Sequence, residues 1–179
     1  MPHFSRLGRH AMAGLALGSG LLGCSPTLDW RELRPDGSGA LFMLPCKPTP
    51  QVRGVKLAGA TVRLSMHACT AGGQTWALAF ADIVDPALVS PALVELAATA
   101  AANLGAPPGL KLPLRVAGAT PQAASQRLLL AGQLPDGQRV EEQVAVFSRG
   151  TMIYQATVIG QELPAEGVET FFSALRLGP

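Results

Sequence analysis

Residues 74–84, QTWALAFADIV, decide the fold class, because large and small apolar residues alternate along them. Trp76, Leu78 and Phe80 fall on one face of an extended chain, whereas the intervening alanines fall on the other. The stretch therefore predicts a β-strand that is covered on both sides. The pair Gly72–Gly73 precedes it and indicates a turn from an upstream strand.

The segment that follows, residues 86–103, has the spacing of an amphipathic helix. Leucines and alanines recur at intervals of three and four between Leu93 and Leu104. Pro86 suits the first turn of a helix, and Gly105 can take the left-handed conformation that often ends one. The alanine-rich face predicts close packing on a flat surface, so we expect this helix to lie on the sheet.

Alternating segments on either side complete a single α+β domain over residues 29–179. We expect strands at residues 29–33, 40–44, 51–57, 60–69, 112–116, 125–134, 138–148 and 151–160. A closing helix at residues 164–175 carries Phe171 and Phe172 in an apolar stripe directed at the core. The predicted architecture is an antiparallel sheet meander with a central helix and a C-terminal helix packed on it.

Composition limits both the size and the function class of the protein. The 179 residues suit one ordinary domain, and at 48% hydrophobic but 5% aromatic any core must be largely aliphatic. Lys and Arg number 14 and Asp and Glu 12, a net charge of +2 with no basic stripe. That balance argues against a nucleic-acid partner.

Residues 1–23 have the organisation of a secretion signal. Arg6 and Arg9 occur near the start with no acidic residue, and an apolar run of roughly 13 residues follows. A permanent membrane span needs ~20 residues, so we expect residues 1–23 to be removed as a signal peptide. The remaining chain then has twelve basic residues against twelve acidic ones.

The end of this signal, Leu21-Leu22-Gly23-Cys24, resembles the lipobox of bacterial lipoproteins. The resemblance implies cleavage before Cys24 and attachment of acyl chains such as palmitate to that residue, with residues 24–28 as a tether. Several acyl chains, at about 0.8 kcal/mol per buried CH₂, hold a domain on a membrane almost permanently. In the Gram-negative lipoproteins that this motif resembles, an Asp after the cysteine favours retention in the inner membrane, so the resemblance implies for Ser25 the outer membrane, with the domain facing the periplasm. The alternative is that Cys24 is an ordinary residue of a signal peptide cut elsewhere.

Cys46 and Cys69 are then left as a pair in an oxidising compartment, where a disulfide is the default expectation. The bridge requires the strand ending before Cys46 and the strand ending at Cys69 to be neighbours in one sheet, with Cα atoms about 4.4 to 6.8 Å apart. Two free thiols and a metal site with His67 are the alternatives. A metal site would need two further ligands, and a redox pair would usually show Cys-x-x-Cys.

The order of elements resembles a known fold. A short strand stopped by Leu44-Pro45-Cys46-Lys47-Pro48, two meanders around a central helix, and a closing helix with Phe171-Phe172-Ser173-Ala174-Leu175 are similar to the PsbP-like fold. That fold includes DcrB-like bacterial lipoproteins, and the resemblance spans most of the chain after the signal. It implies a binding, assembly or accessory role, because members of the fold largely act in those ways.

Residues with catalytic potential do not form a known motif in this sequence. No G-x-S-x-G, Walker A or H-E-x-x-H pattern is found, and no G-x-G-x-x-G pattern follows a predicted strand. His67 is expected on the solvent-facing side of its strand, and Asp82 and Asp85 are expected to cap the central helix. Glu142, among valines, is interpreted as a device that protects an edge strand from further pairing. We therefore expect no enzyme activity, no catalytic residue, no metal and no cofactor.

The candidate contact surfaces are Pro- and Gly-rich loops at residues 31–39, 47–53, 105–111 and 117–122, and the alternative is that these loops are only connectors. The sequence favours a non-enzymatic, membrane-anchored lipoprotein that binds a protein partner or supports envelope assembly. The alternative is a carrier that holds a small apolar ligand in a cavity between the sheet and the helices.

Overall fold

The computed structural model describes residues 27–178 and confirms the α+β class with an antiparallel sheet and two helices. The strands are β1 Arg31–Leu33, β2 Ala40–Leu44, β3 Thr49–Leu57, β4 Ala60–Ala71, β5 Gln74–Asp82, β6 Leu110–Leu112, β7 Gln126–Gln133, β8 Arg139–Arg149, β9 Met152–Gly160 and β10 Arg176–Leu177, and the helices are α1 Pro86–Asn103 and α2 Ala165–Ser173. Neither helix combines the length and the apolar content that crossing a membrane requires. Cys24 and the predicted signal peptide lie outside the described residues.

Seven strands form one antiparallel sheet in the order β3-β4-β5-β9-β8-β7-β6. Two runs of consecutive strands, β3 to β5 and β6 to β9, meet where β5 pairs with β9, with Trp76 opposite Val158. A single meander would place β6 beside β5, so the segment containing α1 makes the crossover that puts β9 there instead. The outer strands are β3 and β6, and most of β3 is exposed to solvent.

A second, three-stranded sheet in the order β1-β2-β10 adds to the predicted architecture. Pro45 and Pro48 interrupt the chain directly after β2, so β2 does not continue into a hairpin with β3. It pairs instead with β1 before it and with β10 from the end of the chain, where Arg176 lies opposite Leu41. The C-terminal residues thereby close the small sheet, which the sequence pattern did not predict.

The two faces of the seven-stranded sheet are covered by different elements. The helix α1 packs on one face, and the small sheet and α2 pack on the other. The two-sided burial predicted for β5 is confirmed, since Trp76 and Leu78 share a core with Phe171, and Ala81 shares one with Leu93. The sheet is therefore the middle layer of the domain.

Most element boundaries lie within two residues of the predicted ones. The helix α1 has the predicted bounds, and Asp85 caps it by accepting a hydrogen bond from the amide of Ala87 at 2.9 Å. The strand expected at 112–116 lies at Leu110–Leu112, because Pro113 has no amide hydrogen to extend the pairing. The closing helix stops at Ser173 because the residues after it extend into β10.

The seven-stranded sheet has two ends, which we name by a glycine in a turn. The Gly72 end holds the turn between β4 and β5, and β9 also finishes there with Gly160 opposite Gln74. The Gly150 end holds the turn between β8 and β9 and the Ala58–Gly59 turn between β3 and β4. These two ends are separated by strands of mostly nine residues or more, about 30 Å at the usual rise per residue.

Candidate functional site

A cleft of about 420 Å³ opens between α2 and the strands β6 and β7. It lies on the face of the seven-stranded sheet that also carries the small sheet. Its lining mixes apolar and charged side chains, namely Leu112, Pro113, Leu114, Arg115, Arg127, Glu169, Phe172 and Ser173. We call it the arginine cleft.

Arg127 is a buried cation in the arginine cleft, with 6% of the residue exposed. It lies in β7 opposite Ala145 of β8, which directs its side chain to the α2 side of the sheet. Its Nε and Nη2 donate to Oε1 of Gln143 at 2.9 and 2.6 Å, and Nη2 also donates to Oε1 of Glu169 at 2.6 Å. The guanidinium carbon lies 4.0 Å from the centroid of the Phe172 ring. An amide, a carboxylate and an aromatic face thus hold this cation in place.

These bonds leave part of the Arg127 guanidinium unused. Within residues 27–178, its Nη1 group donates no hydrogen bond, although an arginine has five N–H groups to satisfy. The side chain of Glu169 is 69% exposed, so its pairing with Arg127 is weakened by solvent. A ligand carboxylate or phosphate at Arg127 would therefore compete with an ion pair that solvent already weakens.

The surroundings of the arginine cleft are electropositive. Arg115 lines the cleft and also an adjoining depression that contains Arg176. The region contains three positive side chains, Arg115, Arg127 and Arg176, and one carboxylate, that of Glu169. The chain without residues 1–23, in contrast, has equal numbers of basic and acidic residues. Phe172 and the leucines of the lining supply an apolar wall beside the arginines. The arrangement can bind an anion that is attached to an apolar group.

Cys46 and Cys69 form the predicted disulfide, with Cα atoms 5.9 Å apart. The expectation that both lie at neighbouring strand ends of one sheet is wrong, because Cys46 follows β2 of the small sheet and Cys69 lies within β4. The bridge forms because β3 begins at Thr49, opposite Ala68, and so brings the preceding residues beside Cys69. The disulfide therefore ties the two sheets together.

His67 lies on a covered face of the sheet, so its predicted exposure to solvent is wrong. Its ring centroid is 6.1 Å from that of Phe80 and 6.4 Å from that of Phe42, which β2 places over this part of β4. Burial lowers the pKa of His67, which favours the neutral imidazole at neutral pH. Among the residues from 27 to 178, no three potential metal ligands come together, at His67 or elsewhere.

The acidic residues singled out in the sequence lie apart from the arginine cleft. Asp82 accepts a hydrogen bond from the amide of Val84 at 2.9 Å, and with Asp85 it orders the start of α1 as predicted. Glu142 does not protect an edge, since β8 pairs on both sides and Glu142 lies between Leu130 and Ile159. It is 5% exposed, and burial raises its pKa to about 7.

Sequence reasoning missed the arginine cleft. Residues 49–57, partly assigned to a loop, form the strand β3, and the cleft uses residues 113–115 rather than the predicted loop at 117–122. The sequence did contain one indication of the cleft: Arg127 immediately precedes the apolar run Leu128–Leu130 in a predicted strand. A charged residue beside such a run, on a strand buried on both faces, indicates either a partner within the fold or a ligand.

No protein-family model matches the chain, and no curated protein matches it.

Proposed function

We propose that this chain is a lipid-anchored protein of the bacterial cell envelope, attached through Cys24 to the outer membrane and facing the periplasm. The lipobox-like sequence before Cys24 supports the anchor. The disulfide between Cys46 and Cys69 supports an oxidising compartment. The resemblance to PsbP-like domains supports a binding or assembly role rather than catalysis.

The observation that carries the binding role is the arginine cleft. Arg127 is buried and fixed by Gln143 and Glu169, and its Nη1 group donates no hydrogen bond within residues 27–178. Arg115 at the same cleft adds a second positive charge, and Phe172 adds apolar surface. The partner that fits is an acidic segment of another envelope protein, in which a carboxylate stands next to an apolar side chain.

Site-specific photo-crosslinking tests this partner. A photoreactive amino acid replaces Ser173, which lines the cleft and is exposed, in the full-length protein in intact cells. We expect a discrete crosslinked product that disappears when Arg115→Glu is added, because the substitution reverses the charge met by the acidic segment. Arg53→Glu, on the exposed strand β3, is the matched control and should leave the product unchanged.

A crosslinked product that persists in Arg115→Glu would contradict recognition through the arginine cleft. Both positions are exposed to solvent, so we expect both charge-reversal variants to fold. Thermal unfolding of the two variants checks this.

The anchor has its own test. Cys24→Ala should abolish labelling by a fatty-acid analogue and leave the precursor unprocessed by the lipoprotein signal peptidase. Normal processing and membrane retention of that variant would refute lipidation at Cys24.

A second candidate function, the carriage of a small ligand, is favoured by the volume of the cleft. About 420 Å³ between the sheet and α2 is within the range of small-molecule sites. A ligand with an apolar chain and a carboxylate would contact Phe172 and Arg127 together. Titration with laurate, followed by calorimetry, tests this function: saturable binding that Phe172→Ala weakens supports it, and binding equal in both proteins or absent refutes it.

A further inference from the structure

We infer that the Gly72 end of the domain lies against the phospholipid headgroups of the membrane and that the Gly150 end points away from it. This inference rests on the proposed lipid anchor at Cys24. It concerns the orientation of the domain, which the anchor by itself leaves open.

The chain between the anchor and the folded domain is short. Three residue steps separate Cys24 from Thr27, where the described structure begins. An extended chain spans at most about 3.6 Å per residue, so Thr27 lies within about 11 Å of Cys24. A domain whose strands are about 30 Å long cannot turn freely on such a short tether.

Packing contacts define the place where the chain enters the domain. Leu28 is half-buried, and a Cβ added at Gly72 would lie 3.3 Å from its Cδ2 and 3.6 Å from Cγ2 of Thr27. A Cβ added at Gly167, near the start of α2, would lie 3.4 Å from Cδ1 of Leu28. Thr27 and Leu28 are therefore packed at the Gly72 end.

Two further contacts fix the same entry segment. The amide of Asp29 donates to the carbonyl oxygen of Pro45 at 2.8 Å, and Trp30 packs edge to face on Trp76 with ring centroids 5.6 Å apart. The entry segment thus belongs to the rigid core rather than to a swinging arm, and the short tether transmits its position to the membrane.

The surface brought to the headgroups consists of the Gly72–Gly73 turn and the adjacent Gln161–Glu162 segment, both exposed. Gln74 joins the two by donating from Nε2 to the carbonyl oxygen of Glu162 at 3.0 Å. Polar groups and bare backbone suit contact with hydrated headgroups, and no apolar insertion is required.

The orientation also places the arginine cleft. The helix α2 starts near Leu28 and runs toward Arg176. The residues after it reach the Gly150 end, where Arg149 donates a hydrogen bond to the carbonyl oxygen of Gly178. Arg115 and Arg176, beside the C-terminal end of α2, therefore lie on the half of the domain that faces away from the membrane. A partner in the periplasm can reach them.

Energy transfer from single labelled cysteines to acceptor lipids tests the orientation. Full-length lipidated protein carrying Glu162→Cys or Thr61→Cys is labelled with a donor fluorophore and reconstituted in phosphatidylethanolamine and phosphatidylglycerol vesicles containing an acceptor lipid. Glu162 marks the Gly72 end, and Thr61, next to the Ala58–Gly59 turn, marks the Gly150 end. Transfer should be at least about twofold more efficient from position 162, given a separation of about 30 Å.

A linker variant tests whether the short tether sets the orientation of the domain. Twenty Gly and Ser residues inserted before Thr27 give a flexible tether of about 25 Å, which should abolish the difference between the two positions. Equal or reversed transfer in the protein without the insertion, with vesicles bound, overturns the orientation alone. Failure of the protein to float with the vesicles overturns the lipid anchor and the orientation with it. The pair Gln161→Cys and Lys56→Cys repeats the measurement if either first variant misfolds.

Discussion

The two faces of the seven-stranded sheet are built from different kinds of side chain. All aromatic residues of the described chain belong to the face shared by the small sheet and α2, namely Trp30, Phe42, Trp76, Phe80, Phe147, Tyr154, Phe171 and Phe172. The apolar residues of the core under α1 are only Ala, Val, Leu and Ile. Sheets that stack face to face lie about 10 Å apart and leave room for large rings, whereas alanines let a helix approach closely. The few aromatic residues are thus concentrated on the face that the small sheet and α2 cover.

The same two faces accommodate a buried charge in opposite ways. On the aromatic face, Gln143, Glu169 and Phe172 surround the Arg127 guanidinium and offset the cost of burying it. On the aliphatic face, no side-chain hydrogen bond is found for the Glu142 carboxyl within residues 27–178, and burial raises its pKa to about 7. Hydrogen-bond partners stabilise a buried cation. A buried carboxyl without such partners avoids the cost of burying a charge by keeping its proton.

Removing the largest ring of the aromatic face should have the largest effect on stability. Trp76 is fully buried, and Trp76→Ala should lower the free energy of unfolding by about 3 to 5 kcal/mol. Leu93→Ala, under α1, should cost about 2 to 5 kcal/mol, and Val94→Ala, on the exposed side of the same helix, should change little. Urea unfolding measures all three. A loss under 1 kcal/mol for Trp76→Ala would contradict the packing described for this face.

Removing the link between the sheets should come next. The double substitution Cys46→Ala and Cys69→Ala should lower stability by about 3 kcal/mol, because the bridge closes a loop across 23 positions. In this double variant the rate of backbone amide hydrogen exchange should increase mainly in β1 and β2. The increase should be smaller in α1, which lies on the other face of the seven-stranded sheet. Uniform acceleration in all elements would show that the disulfide does not act specifically on the small sheet.

The buried acid of the aliphatic face should make stability depend on pH. With the pKa of Glu142 raised from its ordinary 4.5 to about 7, the folded state retains a proton that the unfolded state has released, so stability falls as pH rises from 4.5 to 7. Glu142→Gln should remove this slope and stabilise the protein at pH 8 by up to about 3 kcal/mol, at 1.36 kcal/mol per pKa unit. Urea unfolding at pH 5 and pH 8 measures this pH dependence of stability. Glu141→Gln, at the adjacent and exposed position, is the control. A slope unchanged in Glu142→Gln would refute the role of this carboxyl.

The smallest effect should come from the exposed partner of Arg127. Glu169→Gln should change stability by less than about 1 kcal/mol, because the carboxylate is 69% exposed and Gln143 still accepts two hydrogen bonds from Arg127. Thermal unfolding at low and high salt checks the result. A loss of several kcal/mol would mean that Glu169 is essential for burying the cation and that Gln143 and Phe172 do not suffice to stabilise it.

Local patterns predicted most of the elements because each is specified by nearby residues. Alternation over residues 74–84 and the leucine and alanine spacing after Pro86 correctly identified β5 and α1. Periodicity shows which residues share a face, but not which element covers that face. The small sheet and the position of His67 depend on pairing of β2 with β10, at opposite ends of the chain. The arginine cleft depends on contacts between Arg127 and α2, 42 residues apart, and so could not be predicted locally.

The exposed strand β3 also bears on how copies of the protein meet one another. An open strand edge is a template for pairing with another chain, and a membrane surface brings anchored copies into frequent contact. Pro50 offers no amide hydrogen to an incoming strand, and Arg53 and Lys56 give two approaching β3 edges the same charge. These three residues should keep neighbouring molecules from joining their sheets, so that a crowded population stays dispersed instead of assembling into fibres.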